Sequence, residues 1–436
     1  MIGCLHAAGS NELTAKEYKT ISAEDILKDI RLRNDTILNN KIVNGSLDLS
    51  ELDDTITGKI SITDSVILGP VNLAGKTFQE KVDFSGTVFQ DDVTLSDSQE
   101  PAVFEKIVYF RDANFSKDAD FDEVQLNGGS DFYGAKFNGK THFRMANFSY
   151  GTKFENAQFY GGVSFSEADF GGNGGNAIFI KSLFKKDALF YNSDFDGDAI
   201  FTDAQFDEKA YFRMADFGRL AKFEGAYFYK NADFRSANFW GEANFNYAYF
   251  AEDALFDGAK INEKLRLSGS KFNRIQLNWK DIEDQNKLEY DDEAYLRLVE
   301  NYRSQGLFTD ADECYYDYRV LRRSNLSLGQ KVLDLPLMAF YGYGVKPLRP
   351  IFWSIAVILA FALWFWYSNN KDCPPKRALK FSVKAFLSGT KPFSTDLVEF
   401  SKLAKKYKDR AVLERFLGTL FFLLFLITLA NTVIIK

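Results

Sequence analysis

Large apolar residues recur in this chain at steps that alternate between five and six, and no other feature restricts the possible folds as tightly. The series runs through Ile62, Ile67, Leu73, Phe78, Phe84, Phe89 and Leu95, slips at residues 97–101, and resumes at Phe104. From there it continues through Phe110, Phe115, Phe121, Leu126, Phe132, Phe137, Phe143, Phe148, Phe154, Phe159, Phe165 and Phe170. A Gly/Asn-rich stretch, residues 171–176, adds about three residues. The series then resumes from Phe179 and Phe184 through Phe190, Phe195, Phe201, Phe206, Phe212, Phe217, Phe223, Phe228, Phe234, Phe239, Phe245 and Phe250 to Phe256. It fades through Ile261 and Leu267 to Phe272.

The residue two before an anchor is usually small: Ala113, Ala135, Ala146, Ala157, Ala204, Ala215 and Ala237 are examples, with Thr141, Ser182 and Ser193 filling gaps. In an extended segment, positions i and i−2 face the same way. A step of five or six fits neither an amphipathic helix nor a hairpin strand. It fits a chain that turns a corner every five or six residues, so four sides make a coil of about 22 residues stacked ~4.8 Å from the next. From Ile62 to Phe272 the spacing predicts nine or ten coils, a rod on the order of 45 Å long. A lone coil cannot bury its phenylalanines, but neighbours above and below can. This accounts for 44 Phe in 436 residues.

Units such as Phe143-Arg-Met-Ala-Asn-Phe148 and Phe212-Arg-Met-Ala-Asp-Phe217 resemble the Phe-rich, eleven-residue variant of the pentapeptide repeat family. The resemblance implies a right-handed quadrilateral β-helix over residues 56–280. It implies no single activity. Thirteen of the anchor phenylalanines, Phe110, Phe121, Phe132, Phe143, Phe154, Phe165, Phe190, Phe201, Phe212, Phe223, Phe234, Phe245 and Phe256, are assigned to a structural core ladder.

Flanking segments read differently. Residues 1–20 look like a leader or truncated signal, with Leu5-His-Ala-Ala-Gly9 resembling a cleavage site. Residues 21–55 are assigned to an N-terminal cap. There Ser22 is placed to cap a helix from Ala23 to about Ile30, with Asp25 three residues on. Residues 285–330 switch to helical periodicity. Tyr295, Leu298, Val299 and Tyr302 share one face, Gly306 ends that helix, and Thr309 with Asp312 starts another bearing Ala311, Cys314, Tyr315 and Tyr318. Arg319, Arg322 and Arg323 then fall at a helix end, solvated or within reach of lipid headgroups.

Residues 331–436 read as a membrane domain with spans at 351–367 and 416–435, both free of charged residues and rich in aromatic residues. Between them, residues 368–415 carry twelve Lys/Arg against five Asp/Glu. Ala378–Leu387 and Phe400–Tyr407 are basic and amphipathic, as in helices lying on a membrane surface. By the positive-inside rule this segment is cytoplasmic and the β-helix extracytoplasmic. Two spans around a short apolar segment, with Leu413-Glu-Arg-Phe-Leu-Gly418 opening the second, also resemble the two-pass potassium-channel domain. Ser388, Gly389 and Thr390 stand in the pore-like loop. The pattern departs from that family at the filter, where Leu387-Ser-Gly-Thr-Lys391 replaces the Thr-Val-Gly-Tyr-Gly backbone that coordinates the ion.

Chemistry is sparse. The cysteines Cys4, Cys314 and Cys373 have no ligand spacing, and two histidines cannot build a metal cluster. No acid/base pair or phosphate loop emerges, so neither enzyme activity nor a cofactor is expected. The net charge of −7 argues against nucleic-acid binding. A DNA mimic needs an acidic stripe, whereas residues 104–277 carry 25 acidic and 21 basic side chains. The expected partners are the lipid bilayer and a protein, either a distinct partner or another copy. The expected function is a membrane-tethered, non-catalytic scaffold or binding protein, with an oligomeric channel-like protein as the alternative.

Overall fold

A computed structural model describes residues 18–97, 100–283, 287–368, 374–388 and 407–434. The leader lies outside these residues, apart from its last positions. The chain divides into two compact units, Met1–Glu289 and Tyr290–Lys436.

The first unit is a β-solenoid of about 12 turns. Most sides of a coil are two-residue strands in parallel register with their counterparts above and below. One side stacks Asn114–Phe115, Lys136–Phe137, Gln158–Phe159 and Leu183–Phe184. Register measures the irregularities directly. Ala199 pairs with Ala221, 22 residues on, but Val82 pairs with Val108, 26 on, across the slip. Thr152 pairs with Ala177, 25 on, so the Gly/Asn stretch inserts three residues into one coil.

The expected nine or ten coils are too few because coiling begins before the phenylalanine spacing does. Strand Lys19–Ser22 pairs with Lys41–Asn44, and Thr36–Asn39 pairs with Ile60–Thr63. Here Val43, Leu47, Leu49 and Ile56 fill the core instead of Phe. Helix α1 (Ala23–Arg31) is inserted between the first strands, and the Ser22 side chain caps it by accepting from the Glu24 N–H. The other end is closed by β-strand Lys271–Gln276, the single-turn helix α2 (Lys280–Glu283) and the buried side chains of Trp279, Ile282 and Leu288.

Inside, the rings form columns. Phe137 lies 4.8 Å from Phe159 at 2°, and Phe190 lies 4.7 Å from Phe212 at 6°. Between columns the contacts are edge-to-face, as for Phe190 and Phe201 at 5.4 Å and 90°. Both geometries suit the ring quadrupole. Where Ser replaces the small Ala, its hydroxyl is satisfied within the core: Ser182 donates to the Phe154 carbonyl at 2.6 Å and Ser193 to the Phe165 carbonyl at 2.7 Å.

Corners repeat every eleven residues with a positive φ, at Asp112, Glu123, Gly134, Met145, Asn156 and Glu167 and again at Asn192, Asp203, Met214 and Gly225. Each is the third residue of a turn closed by a backbone bond such as Ala113 N–H to the Phe110 carbonyl, 3.1 Å. A positive φ at that position is the type II pattern.

The second unit is helical. α3 (Asp292–Ser304) and α4 (Phe308–Ser324) pack as a pair through Tyr295, Leu298, Val299, Tyr302, Ala311, Cys314 and Tyr318, all buried. α4 starts at Phe308 behind Leu307, which supplies no side-chain cap, so Thr309 does not play the capping role expected of it. α5 (Leu328–Tyr341) opens on a full capping box between Ser327 and Gln330. α6 (Leu348–Ser368) and α8 (Lys408–Leu429) are the two long apolar helices, with α7 (Pro375–Leu387) between them in sequence. The first apolar helix begins three residues before the expected span. The second begins eight before, taking in a charged first turn.

Candidate functional site

The thirteen ladder phenylalanines are all buried, which leaves the polar exterior of the coils as the face offered to other molecules. Two features stand out on it. Asp169, Asp194 and Asp216 stack in register on one side, with Asp196 close by. Partial burial and these like charges push the Asp194 carboxyl up to about 6. Elsewhere Tyr227, Tyr229 and Tyr249 gather with ring centroids 6.4 Å apart, each partly exposed. Among the described residues no group of His, Cys, Asp or Glu is arranged to hold a metal ion.

In the helical unit, α6 and α8 are both long and apolar enough to cross a membrane. Their outward faces are apolar too: Phe352, Ile355, Leu359 and Leu363 on α6, and Phe416, Phe422, Leu423 and Ile427 on α8, are exposed. They run side by side in opposite directions. Tyr407, which leads into α8, donates to the Ser368 carbonyl at the end of α6 at 3.3 Å, and Arg410 bonds Ser368 Oγ at 2.9 Å.

α7 does not turn its apolar face outward, as a surface-lying helix would. Ala378, Phe381, Ser382, Ala385 and Phe386 are buried against the long helices. Phe381 meets Phe365 at 5.0 Å, and Gly418 of α8 lies so close to the Phe386 carbonyl that a Cβ there would sit 2.3 Å from its oxygen. Ser382 Oγ donates to the Ile358 carbonyl at 2.7 Å and also contacts the fully buried Glu414 carboxyl. Glu414 belongs to the Leu413–Gly418 segment that opens the second apolar run, but its place in a charged turn concealed its burial. Its only signal was an acidic residue one turn before Gly418. An apolar cavity of about 570 Å³ lies beside these contacts, lined by Ile351, Ile355, Phe386, Gly418 and Phe422 among others. Of the pore-like residues, Ser388 follows the last turn of α7, donating to the Ala385 carbonyl at 2.7 Å. Gly389 and Thr390 lie outside the described residues, as does most of the second amphipathic stretch before Tyr407.

A third site joins α4, α5 and the start of α6. Asp334 of α5 is buried, 3.2 Å from Arg319 and 3.6 Å from Arg323, and accepts from the Tyr343 hydroxyl at 2.5 Å. Arg349 bonds the Tyr316 hydroxyl at 2.8 Å and the Met338 carbonyl, while Trp353 N–H reaches the Ala339 carbonyl at 2.9 Å. These contacts fix the elbow by which α5 enters α6. Sequence reading singled out the arginines but not Asp334, whose role depends on the fold bringing α5 back over α4.

Comparison with known families matches a model described as pentapeptide repeats (9 copies) to residues 102–144, 132–175 and 190–235. No curated protein and no solved structure matches the chain. Nothing in these comparisons supports the potassium-channel resemblance. The matched stretches, residues 102–175 and 190–235, coincide with coils of stacked phenylalanine, so that part of the β-solenoid consists of pentapeptide repeats.

Proposed function

We propose that the chain is a non-catalytic scaffold or binding protein whose pentapeptide-repeat rod is tethered to a bilayer by α6 and α8. The observation that carries the tether is the outward apolar face of both helices. In water such faces would forfeit about 1.5–3 kcal/mol per large side chain, whereas in lipid they are at home. The rod supplies a long polar surface for a protein partner or a second copy, and the Tyr227, Tyr229 and Tyr249 cluster is an exposed aromatic patch on it. Alkaline carbonate washing of membranes tests the tether. The full chain is expected to stay in the pellet and a chain ending at residue 330 to leave it; release of the full chain would refute the tether.

The basic segment between the long helices supports, by the positive-inside rule, a rod lying outside the cytoplasm. A membrane-impermeant maleimide applied to intact cells should then label Tyr247→Cys in the rod and spare Cys373 between the spans. The opposite pattern reverses the topology.

The insertion of α7 between the long helices favours a second reading, an oligomeric channel-like assembly with Ser388 near a pore. Ion flux in liposomes bearing the purified chain tests it. Absence of flux removes it without touching the tether.

A further inference from the structure

Helix α5 is amphipathic in the wrong sense for water. Its one buried side chain is the charged Asp334, while Leu328, Val332, Leu333, Leu335 and Leu337 face outward, Leu333 at 77% exposure. Beside this apolar face lies a shallow cavity of about 280 Å³ lined by Arg319, Arg322, Arg323, Gln330, Leu333 and Asp334, with other leucines completing the wall. Three guanidinium groups there meet a single carboxylate. Arg319 donates to the Tyr315 hydroxyl and to Asp334, and Arg323 to the Met338 sulfur and the Lys331 carbonyl with its buried Nε 3.6 Å from Asp334, so of the three it is Arg322 that faces outward. Arg322 is exposed, with the face of Tyr318 6.0 Å away. A ligand that suits this place must carry negative charge with several acceptor oxygens next to long apolar chains.

We infer that the cavity binds the phosphate of an anionic phospholipid, with α5 lying in the bilayer interface and its leucines among the acyl chains. This rests on the membrane tether proposed above. Charge complementarity selects an anionic headgroup over a zwitterionic one, because three arginines against one aspartate leave an excess positive charge. Guanidinium groups suit phosphate oxygens through paired N–H donors. The exposed leucines select a lipid over a free phosphate ion, which would gain nothing from them. Exposed apolar residues flanked by basic ones are the physical signature of a helix seated at a membrane surface. The bonds from Arg349 to the Met338 carbonyl and from Trp353 to the Ala339 carbonyl hold α5 at the start of the first long helix, where headgroups would lie.

The test uses the full chain in nanodiscs of phosphatidylcholine, with or without phosphatidylglycerol. Lipid retained through native mass spectrometry is the readout. Phosphatidylglycerol is expected to be retained in preference. R322Q, an exposed position that leaves the Asp334 pairs intact, should weaken that preference about tenfold, the scale of one charge-assisted bond. R322K should keep most of it. A nitroxide on Leu333→Cys should be relaxed more by oxygen dissolved in the lipid than by a water-soluble nickel chelate. Equal retention of the two lipids, or indifference to R322Q, overturns the site while leaving the tether standing. Competition by inorganic phosphate as effective as by the lipid reassigns the cavity to a free anion and overturns it too. Preferential relaxation by the nickel chelate also overturns it, because it puts α5 in water or against a protein. Removal of the chain from membranes by carbonate overturns tether and site together.

Discussion

At the scale of single residues, the core ladder sets the largest energies. Phe143 stacks on Phe121 at 4.6 Å below and on Phe165 at 4.9 Å above, and is fully buried. Phe143→Ala should cost about 3–5 kcal/mol, since the stacked neighbours cannot collapse into the space. Phe143→Leu should cost much less. Urea unfolding of both variants, followed by circular dichroism, checks the order. Asp194 behaves oppositely to most paired carboxylates. Its folded value of about 6 lies above the ordinary 3.8, so the folded state holds the extra proton. Its contribution to stability is therefore fully present below about pH 4 and is lost as pH rises through 6. Asp194→Asn should stabilise the rod at pH 7, by less than about 1 kcal/mol because the side chain is largely solvated and screened. That advantage should vanish near pH 4. A variant that gains the same amount at both pH values would show that the aspartate stack does not hold.

At the scale of elements, the solenoid was legible because each side repeats one rule, a large inward residue with a small one two before it, and the rule survives local slips. Its first coils were not, because Val43, Leu47 and Leu49 obey the inward pattern with residues common to any strand. α7 was legible as an amphipathic helix, but not its destination: a face of Phe381, Ala385 and Phe386 suits lipid and protein equally, and only the fold supplies α6 and α8 as partners. Gly418 makes that packing possible. Gly418→Ala places a methyl group against the Phe386 carbonyl, at a distance backbone cannot tolerate, and should cost about 1–3 kcal/mol as α7 is pushed from α8. Thermal unfolding in detergent should show the loss in the helical transition, while the β-sheet transition of the full chain stays where it is without the substitution. Asp334 was illegible for a similar reason. An acidic residue amid leucines reads as the polar side of a helix until α4 brings Arg319 and Arg323 beneath it.

At the scale of the whole molecule, the rod is a one-dimensional object in which each coil touches only its neighbours. The register makes this exact enough to edit. Leu189 pairs with Tyr211, so removing residues 190–211 joins Leu189 to Phe212 and restores every ladder one coil shorter. Such a chain keeps its ring columns, because Phe165, which stacked on Phe190, now meets Phe212. It should fold, with a stability reduced by about one coil's share and the helical unit undisturbed. Removing residues 190–209 instead leaves the next coil two residues out of step on all four sides, and Phe212 then arrives where a corner belongs. Limited proteolysis separates the cases. The 22-residue deletion should resist cleavage along the rod as the full chain does, whereas the 20-residue deletion should be cut at the junction. Equal resistance in the two would mean that coils do not depend on register with their neighbours, and that the phenylalanine columns are not what holds the rod together.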